Sequence, residues 1–171
     1  MINKITRRQI IAISAASAAS AVISTAATIY SWWRIAPTEN YTSLNKTEAS
    51  FINALAGAAY PPGQACGLDG SEAGLDRFFD QILTKMEGTN RNQIKLLVNL
   101  VDTMPMATHL QRYTTLPLHV RTEVLHAWLN SEQHLIRNAV LSLVTIIGMG
   151  YTSHPEASKI LAQYHNCGFG A

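Results

Sequence analysis

Apolar positions recur at three- and four-residue spacing along most of the chain beyond residue 46, and they predict one helix after another. Phe51, Ile52, Leu55 and Ala59 share a face of a first helix that Thr47 caps and that runs through Tyr60. Pro61-Pro62-Gly63 stops it. After a loop through Gly67, Asp69 and Gly70, Ser71 opens a second helix carrying Leu75, Phe78, Phe79, Ile82 and Leu83, which ends near Gly88. Thr89 or Asn90 caps a third, with Ile94, Leu96, Leu97 and Leu100, ending near Pro105. Leu116-Pro117 starts a fourth, with Val120, Val124, Leu125, Trp128 and Leu129. Ser131 caps a fifth, and His154-Pro155-Glu156 begins a short last helix through Leu161. No alternating strand pattern and no repeat interrupts this series. The expectation is an all-α body, a compact domain of five to six helices.

Two apolar stretches stand apart from the amphipathic rhythm. The first has no charged residue from Gln9 to Trp33 and follows Thr6-Arg7-Arg8. A Thr and paired arginines ahead of a mild Ala/Ser/Ile run resemble a twin-arginine export signal, with Arg7 and Arg8 as the residues read by the translocase. As a helix, Ile10 to Trp33 reaches ~36 Å, enough to cross a bilayer. Lys4, Arg7 and Arg8 suit the inner side, and Trp32, Trp33 and Arg34 the far interface. Small-x-small cleavage sites such as Ser24-Thr25-Ala26 are also present. Residues 1–34 are therefore either a cleaved signal or a retained inner-membrane anchor through residues 10–33. Residues 35–46 are polar and read as a linker, and residues 47–171 form the helical domain. The second stretch, Ala139 to Met149, spans only ~16 Å as a helix, against a hydrocarbon core of ~30 Å. It reads as a central core helix whose end Gly148 and Gly150 loosen into a turn.

Charge and cysteine narrow the function classes. The chain carries a formal charge of +2, but without Lys4, Arg7 and Arg8 ten Lys and Arg face eleven Asp and Glu. The body is close to neutral, so no basic patch points to nucleic acid. Cys66 and Cys167 are the only cysteines. In an oxidising periplasm such a pair suggests a disulfide across about a hundred residues, worth ~4–5 kcal/mol in the chain-entropy model. Two free thiols are the alternative. No CxxCH haem motif and no CxxC zinc pattern occurs.

Three segments carry a family resemblance: Leu55 to Gly63 (LAGAAYPPG), Leu116-Pro117 through Trp128, and Arg137-Asn138-Ala139 on to Gly148-Met149-Gly150-Tyr151-Thr152-Ser153-His154-Pro155-Glu156. They resemble the helical small-subunit family of gluconate 2-dehydrogenase, subunit three, over most of residues 47–165. A related helical segment accompanies fatty-alcohol oxidases of the glucose–methanol–choline flavoprotein class. In that family a helix ending in Trp precedes an Arg-bearing apolar helix, and a Gly-Tyr-(Tyr/Thr)-Ser-x-Pro turn leads into a terminal helix. Residues Gly88 to Gln111 depart from the pattern. The resemblance implies a non-catalytic periplasmic subunit without its own cofactor. FAD would reside in a large flavoprotein partner, and haem c in a third, cytochrome c subunit. It also implies that a twin-arginine signal on this chain exports the folded, cofactor-loaded partner. That would explain why a chain with no visible cofactor motif carries such a signal.

The enzyme reading has little to build on. The glycines Gly67, Gly70 and Gly74 follow no strand, and no GxSxG or HExxH occurs. Glu123 and His126 sit at i, i+3 as in di-iron bundles, which need two such pairs and two further Glu. A free-standing metal-binding helical protein of ferritin-like type is thus an alternative, as is a membrane-anchored interaction protein. His165 near Cys167 suits polarisation of a thiol, a role that a disulfide removes. Trp128, Tyr151, His154 and Pro155, with the Tyr113 region, are the candidates for a partner-docking surface, because aromatic side chains anchor interfaces. For Trp128 the spacing with Val124 and Leu125 favours the core, Tyr151 is left open between core and surface, and His154 reads as the neighbour of a helix N-cap rather than a catalytic base.

Overall fold

The computed structural model describes residues 37, 40–63 and 68–164. Arg7, Arg8, Cys66 and Cys167, and with them the expected export signal and the disulfide expected from the cysteine pair, lie outside the described residues. The body is all-α, and no strand occurs among the described residues. Six helices of ten or more residues follow in order: α1 Lys46–Ala59, α2 Leu75–Lys85, α3 Gly88–Thr103, α4 Leu118–Leu129, α5 His134–Ser153 and α6 Pro155–Tyr164. A single helical turn, Met106–His109, and a 3-10 turn, Tyr113–Thr115, connect α3 to α4.

The centre of the fold is α1, not the apolar stretch of α5. Its residues Phe51, Ile52, Leu55 and Ala56 have no exposed surface, and Ala49, Ala54, Gly57 and Ala58 are buried as well. Side chains this small let neighbours approach from several directions, and α1 packs against α2, α3, α4, α5 and the 3-10 turn. By contrast α5 buries only Val140, Leu143, Ile147, Gly150 and Tyr151. It is a twenty-residue helix lying along the body with one apolar face inward. Among the described residues it is the one helix long and apolar enough to cross a bilayer by length and composition, a property that core helices share.

The cap of α1 is Asn45 rather than Thr47. The Asn45 side chain accepts from the Glu48 N–H at 2.9 Å, and the Glu48 carboxylate accepts from the Asn45 N–H at 2.9 Å. This is a capping box in which Glu48 is 1% exposed. Its charge is answered from α3: Lys95 Nζ lies 3.2 Å from Glu48 Oε2, and Asn99 donates to Glu48 Oε1 at 3.0 Å. Lys95 also donates to the Ser43 carbonyl at 2.6 Å. A buried carboxylate needs such partners to remain charged, so the cap ties α1 to α3.

The polar stretch expected as a linker ends inside the packed body. Ser43, Leu44 and Asn45 are buried. Asp80 on α2 holds this segment by accepting backbone N–H bonds from Thr42, Ser43 and Leu44 at 2.9, 2.8 and 2.8 Å. One turn earlier, Asp76 accepts from the Tyr41 hydroxyl. That bond, with burial, raises the Tyr41 phenol from 10.0 to about 12. The folded value lies above the unfolded one, so the stabilisation is complete below pH 10 and is lost as pH rises towards 12. The expected result is a denaturation midpoint that falls through this interval, and falls less steeply in Tyr41→Phe. Burial also raises Tyr60 and Tyr113, so a residual slope remains. An identical slope in wild type and variant, measured by chemical denaturation across pH 9–12, would refute the assignment.

Three other helix boundaries differ from the sequence reading. Ser71 does not open α2: its N–H and hydroxyl both bond to Asp69 Oδ1, at 2.8 and 2.9 Å, which makes a turn. The helix starts at Leu75 after Gly74 at φ +64. Neither Thr89 nor Asn90 caps α3, which begins at Gly88 behind Glu87. Ser131 lies ahead of α5 and accepts from the Gln133 N–H at 3.2 Å, and the helix itself begins at His134. Gly148 and Gly150 do not loosen α5, which continues to Ser153. They provide room instead. A Cβ on Gly148 would stand 3.0 Å from the Tyr60 hydroxyl, and one on Gly150 would stand 2.5 Å from the Phe78 ring.

Candidate partner-docking surface

The connection from α3 to α4 displays apolar side chains on a rigid base. Leu96 and Leu100, one turn apart on α3, are 37% and 56% exposed. Beyond the helix end at Thr103, Met106 and Leu110 are 47% and 86% exposed. Pro105 is buried, and its carbonyl accepts from His109 and Thr108 at 2.7 and 3.1 Å, closing the short turn. Leu110 ends that turn at φ +55, the sole non-glycine residue with positive φ among those described. A leucine in this region costs about 1 kcal/mol, and at this exposure it recovers little by burial.

Both sides of the loop are anchored. Asp102, 3% exposed, accepts from the Thr114 N–H at 3.1 Å and stands 3.7 Å from Arg112. Tyr113 is fully buried, and its hydroxyl donates to the Arg121 carbonyl at 3.1 Å. The Tyr113 ring lies 5.7 Å from Phe51 of α1 and 5.3 Å from Trp128 of α4. Burial pushes its phenol well above the usual range. The exposed leucines and Met106 are therefore held outward by a framework of buried polar bonds and stacked rings, the kind of preorganisation that lowers the entropy lost on binding.

The structure separates the four residues singled out from the sequence. Trp128 is half-buried against Tyr113, at the base of the loop. Tyr151 is 3% exposed and offers no docking surface: it stacks on Tyr60 at 3.9 Å and donates to the Leu68 carbonyl at 2.8 Å. His154 is half-buried between α5 and α6, where its ring nitrogen accepts from the Glu156 N–H at 3.3 Å, and Pro155 is exposed. His154 thus belongs to the cap of α6. The sequence reading passed over Leu100, Met106 and Leu110, which lie in the stretch that departed from the family pattern. A leucine directly following a helical turn, where Gly or Asn is usual, was the available signal.

Elsewhere the chemistry is sparse. Glu123 and His126 are both exposed on α4, and among the described residues no three His, Cys, Asp or Glu side chains gather as a metal would require. A shallow cleft of about 330 Å³ is lined by Asn40, Tyr41, Lys46, Ala49, Ser50 and Asn53, with Asn53 Oδ1 buried and unpartnered. No family model, curated protein or solved structure matches the chain, so its functional reading rests on the sequence motifs and this geometry.

Proposed function

We propose that this chain is the non-catalytic small subunit of a periplasmic FAD-dependent dehydrogenase of the glucose–methanol–choline type, acting on a sugar, a sugar acid or an alcohol. It assists assembly of the flavoprotein and carries it through the twin-arginine translocase. The sequence support is the Thr6-Arg7-Arg8 leader together with the family-like segments at 55–63, 116–128 and 148–156. The observation that carries the reading is Leu110, an exposed apolar side chain kept at a strained backbone angle on an anchored loop. Strain of this kind persists where the surroundings enforce it, and it concentrates at functional sites.

Co-expression of the chain with a candidate large flavoprotein subunit tests the proposal. Leu110→Gly removes the strain and the apolar contact together. It is expected to stabilise the isolated chain by about 1 kcal/mol while reducing capture of the flavoprotein at least about tenfold. Arg7→Lys with Arg8→Lys keeps the charge and loses the guanidinium geometry, so both proteins should remain in the cytoplasm. Normal periplasmic delivery of the partner by the double variant would overturn the export role. Undiminished capture by Leu110→Gly would overturn the docking role.

A further inference from the structure

Among the described residues, Arg121 is the one half-buried arginine whose guanidinium has no acceptor. Arg91 donates to the Leu83 and Met86 carbonyls at 3.0 and 2.9 Å, and Arg137 to the Ser131 carbonyl at 3.3 Å. Arg112 stands 3.7 Å from the Asp102 carboxylate. The Arg121 side chain joins no ion pair or hydrogen bond among the described residues, and its Nε is buried away from water. The helix explains why. Side chains meet those three and four positions away, and around Arg121 these are Pro117, Leu118, Val124 and Leu125, all apolar. Glu123, the one acid of α4, lies two positions on and does not face it.

The surroundings are those of an anchor at an interface. Leu125 is the sole fully buried residue of α4, and Leu118, Val120, Val124, Trp128 and Leu129 are covered only in part. A cation set in half-covered apolar surface has lost water without gaining a counter-charge, a cost that an arriving carboxylate recovers. Arg121 is itself only half-buried, and its long stem lets the guanidinium turn to meet an oxyanion side-on. It also sits at the base of the anchored loop. Its carbonyl accepts from Tyr113, which follows Leu110 by three residues, so Leu110 and Arg121 lie within the ~30 Å breadth of one interface of ordinary size. We propose that Arg121 receives an aspartate or glutamate side chain of the protein docked on the Leu100–Leu110 surface. This rests on the docking reading and gives the partner its chemistry: an acidic residue beside an apolar contact.

Capture of a candidate large flavoprotein subunit by the full chain tests it, read together with the unfolding midpoint of the full chain alone. Arg121→Met keeps the apolar stem and removes the guanidinium. Capture should weaken about thirtyfold or more, while the midpoint stays level or rises because an unpaired buried donor is gone. Arg121→Lys keeps the charge without the two-pronged geometry and should restore part of the capture. Sodium chloride should weaken capture by the wild type more than by Arg121→Met. Undiminished capture by Arg121→Met overturns the proposal, and if Leu110→Gly still loses capture the docking reading stands without it. Capture unchanged by both variants, or absent in the wild type, overturns the two together. A midpoint that drops in Arg121→Met along with capture makes the arginine a structural residue and overturns the proposal. So does inorganic phosphate that raises the wild-type midpoint at constant ionic strength but not that of Arg121→Met, since the arginine then serves a free oxyanion.

Discussion

Asp80→Ala is expected to lower the free energy of unfolding by about 3–4 kcal/mol. The carboxylate is the sole acceptor recorded for the backbone N–H groups of Thr42, Ser43 and Leu44, and Ser43 and Leu44 are buried. Alanine leaves the buried Ser43 and Leu44 donors with no acceptor, at about 1–3 kcal/mol each, whereas the exposed Thr42 N–H can turn to water. The consequence spreads, because the same segment leads into Asn45 and its capping box, and Ser43 supplies the carbonyl that Lys95 bonds. Asp80→Asn is the informative control. Its single oxygen can serve Ser43 and Leu44 as Oδ1 now does, so about half the stability should return. Chemical denaturation with hydrogen exchange at residues 42–44 reads the effect. A loss below about 1 kcal/mol for Asp80→Ala would show that other contacts hold this segment.

Gly70→Ala is expected to cost about 3 kcal/mol, the upper end of the range for overpacking. A Cβ there would lie 2.2 Å from the Ala56 carbonyl oxygen, 2.7 Å from its carbon and 3.0 Å from Tyr60 Cβ. The first two are backbone atoms in the last turn of the central helix. That same carbonyl accepts the Tyr60 N–H at 2.8 Å, so relief of the clash opens the end of α1. Two other glycines calibrate the measurement. Gly74 has open space but φ +64, so alanine there should cost only about 1 kcal/mol. Gly88, at the start of α3 with open space, should tolerate alanine or gain a few tenths of a kcal/mol. Thermal unfolding of the three variants should rank them Gly70, Gly74, Gly88. A Gly70 variant as stable as the Gly74 variant would contradict the close approach.

The helical body was legible because its signal is periodic: each of the six helices contains the apolar residues that announced it. What one chain's pattern cannot carry is which face finds a neighbour. The Asn45-Lys46-Thr47-Glu48 segment spells a capping box, yet a polar run before a helix reads equally as solvated linker until Asp80 and Lys95 are seen to enclose it. Gly148 and Gly150 read as helix breakers because glycine weakens an exposed helix; against Tyr60 and Phe78 they make room instead. The same blindness affected the site. Tyr151 and Trp128 stood out as aromatics, but an intramolecular ring partner withdraws Tyr151 from the surface and half-buries Trp128. Leu100 and Leu110 looked ordinary, since exposure of a leucine is a tertiary fact.

The central position of the first helix of the body also sets an order of events during synthesis. Phe51, Ile52 and Leu55 leave the ribosome early, but α4, one of their main partners, ends about seventy residues later and α5 later still. At ~5–20 residues per second those apolar faces wait roughly 4–14 s for their cover. Local helices can form in that time, whereas the interior that surrounds α1 depends on contacts distant in sequence and closes late. The nascent body thus keeps apolar surface uncovered until late, and it reaches its packed form only after nearly all of residues 46–164 have been made.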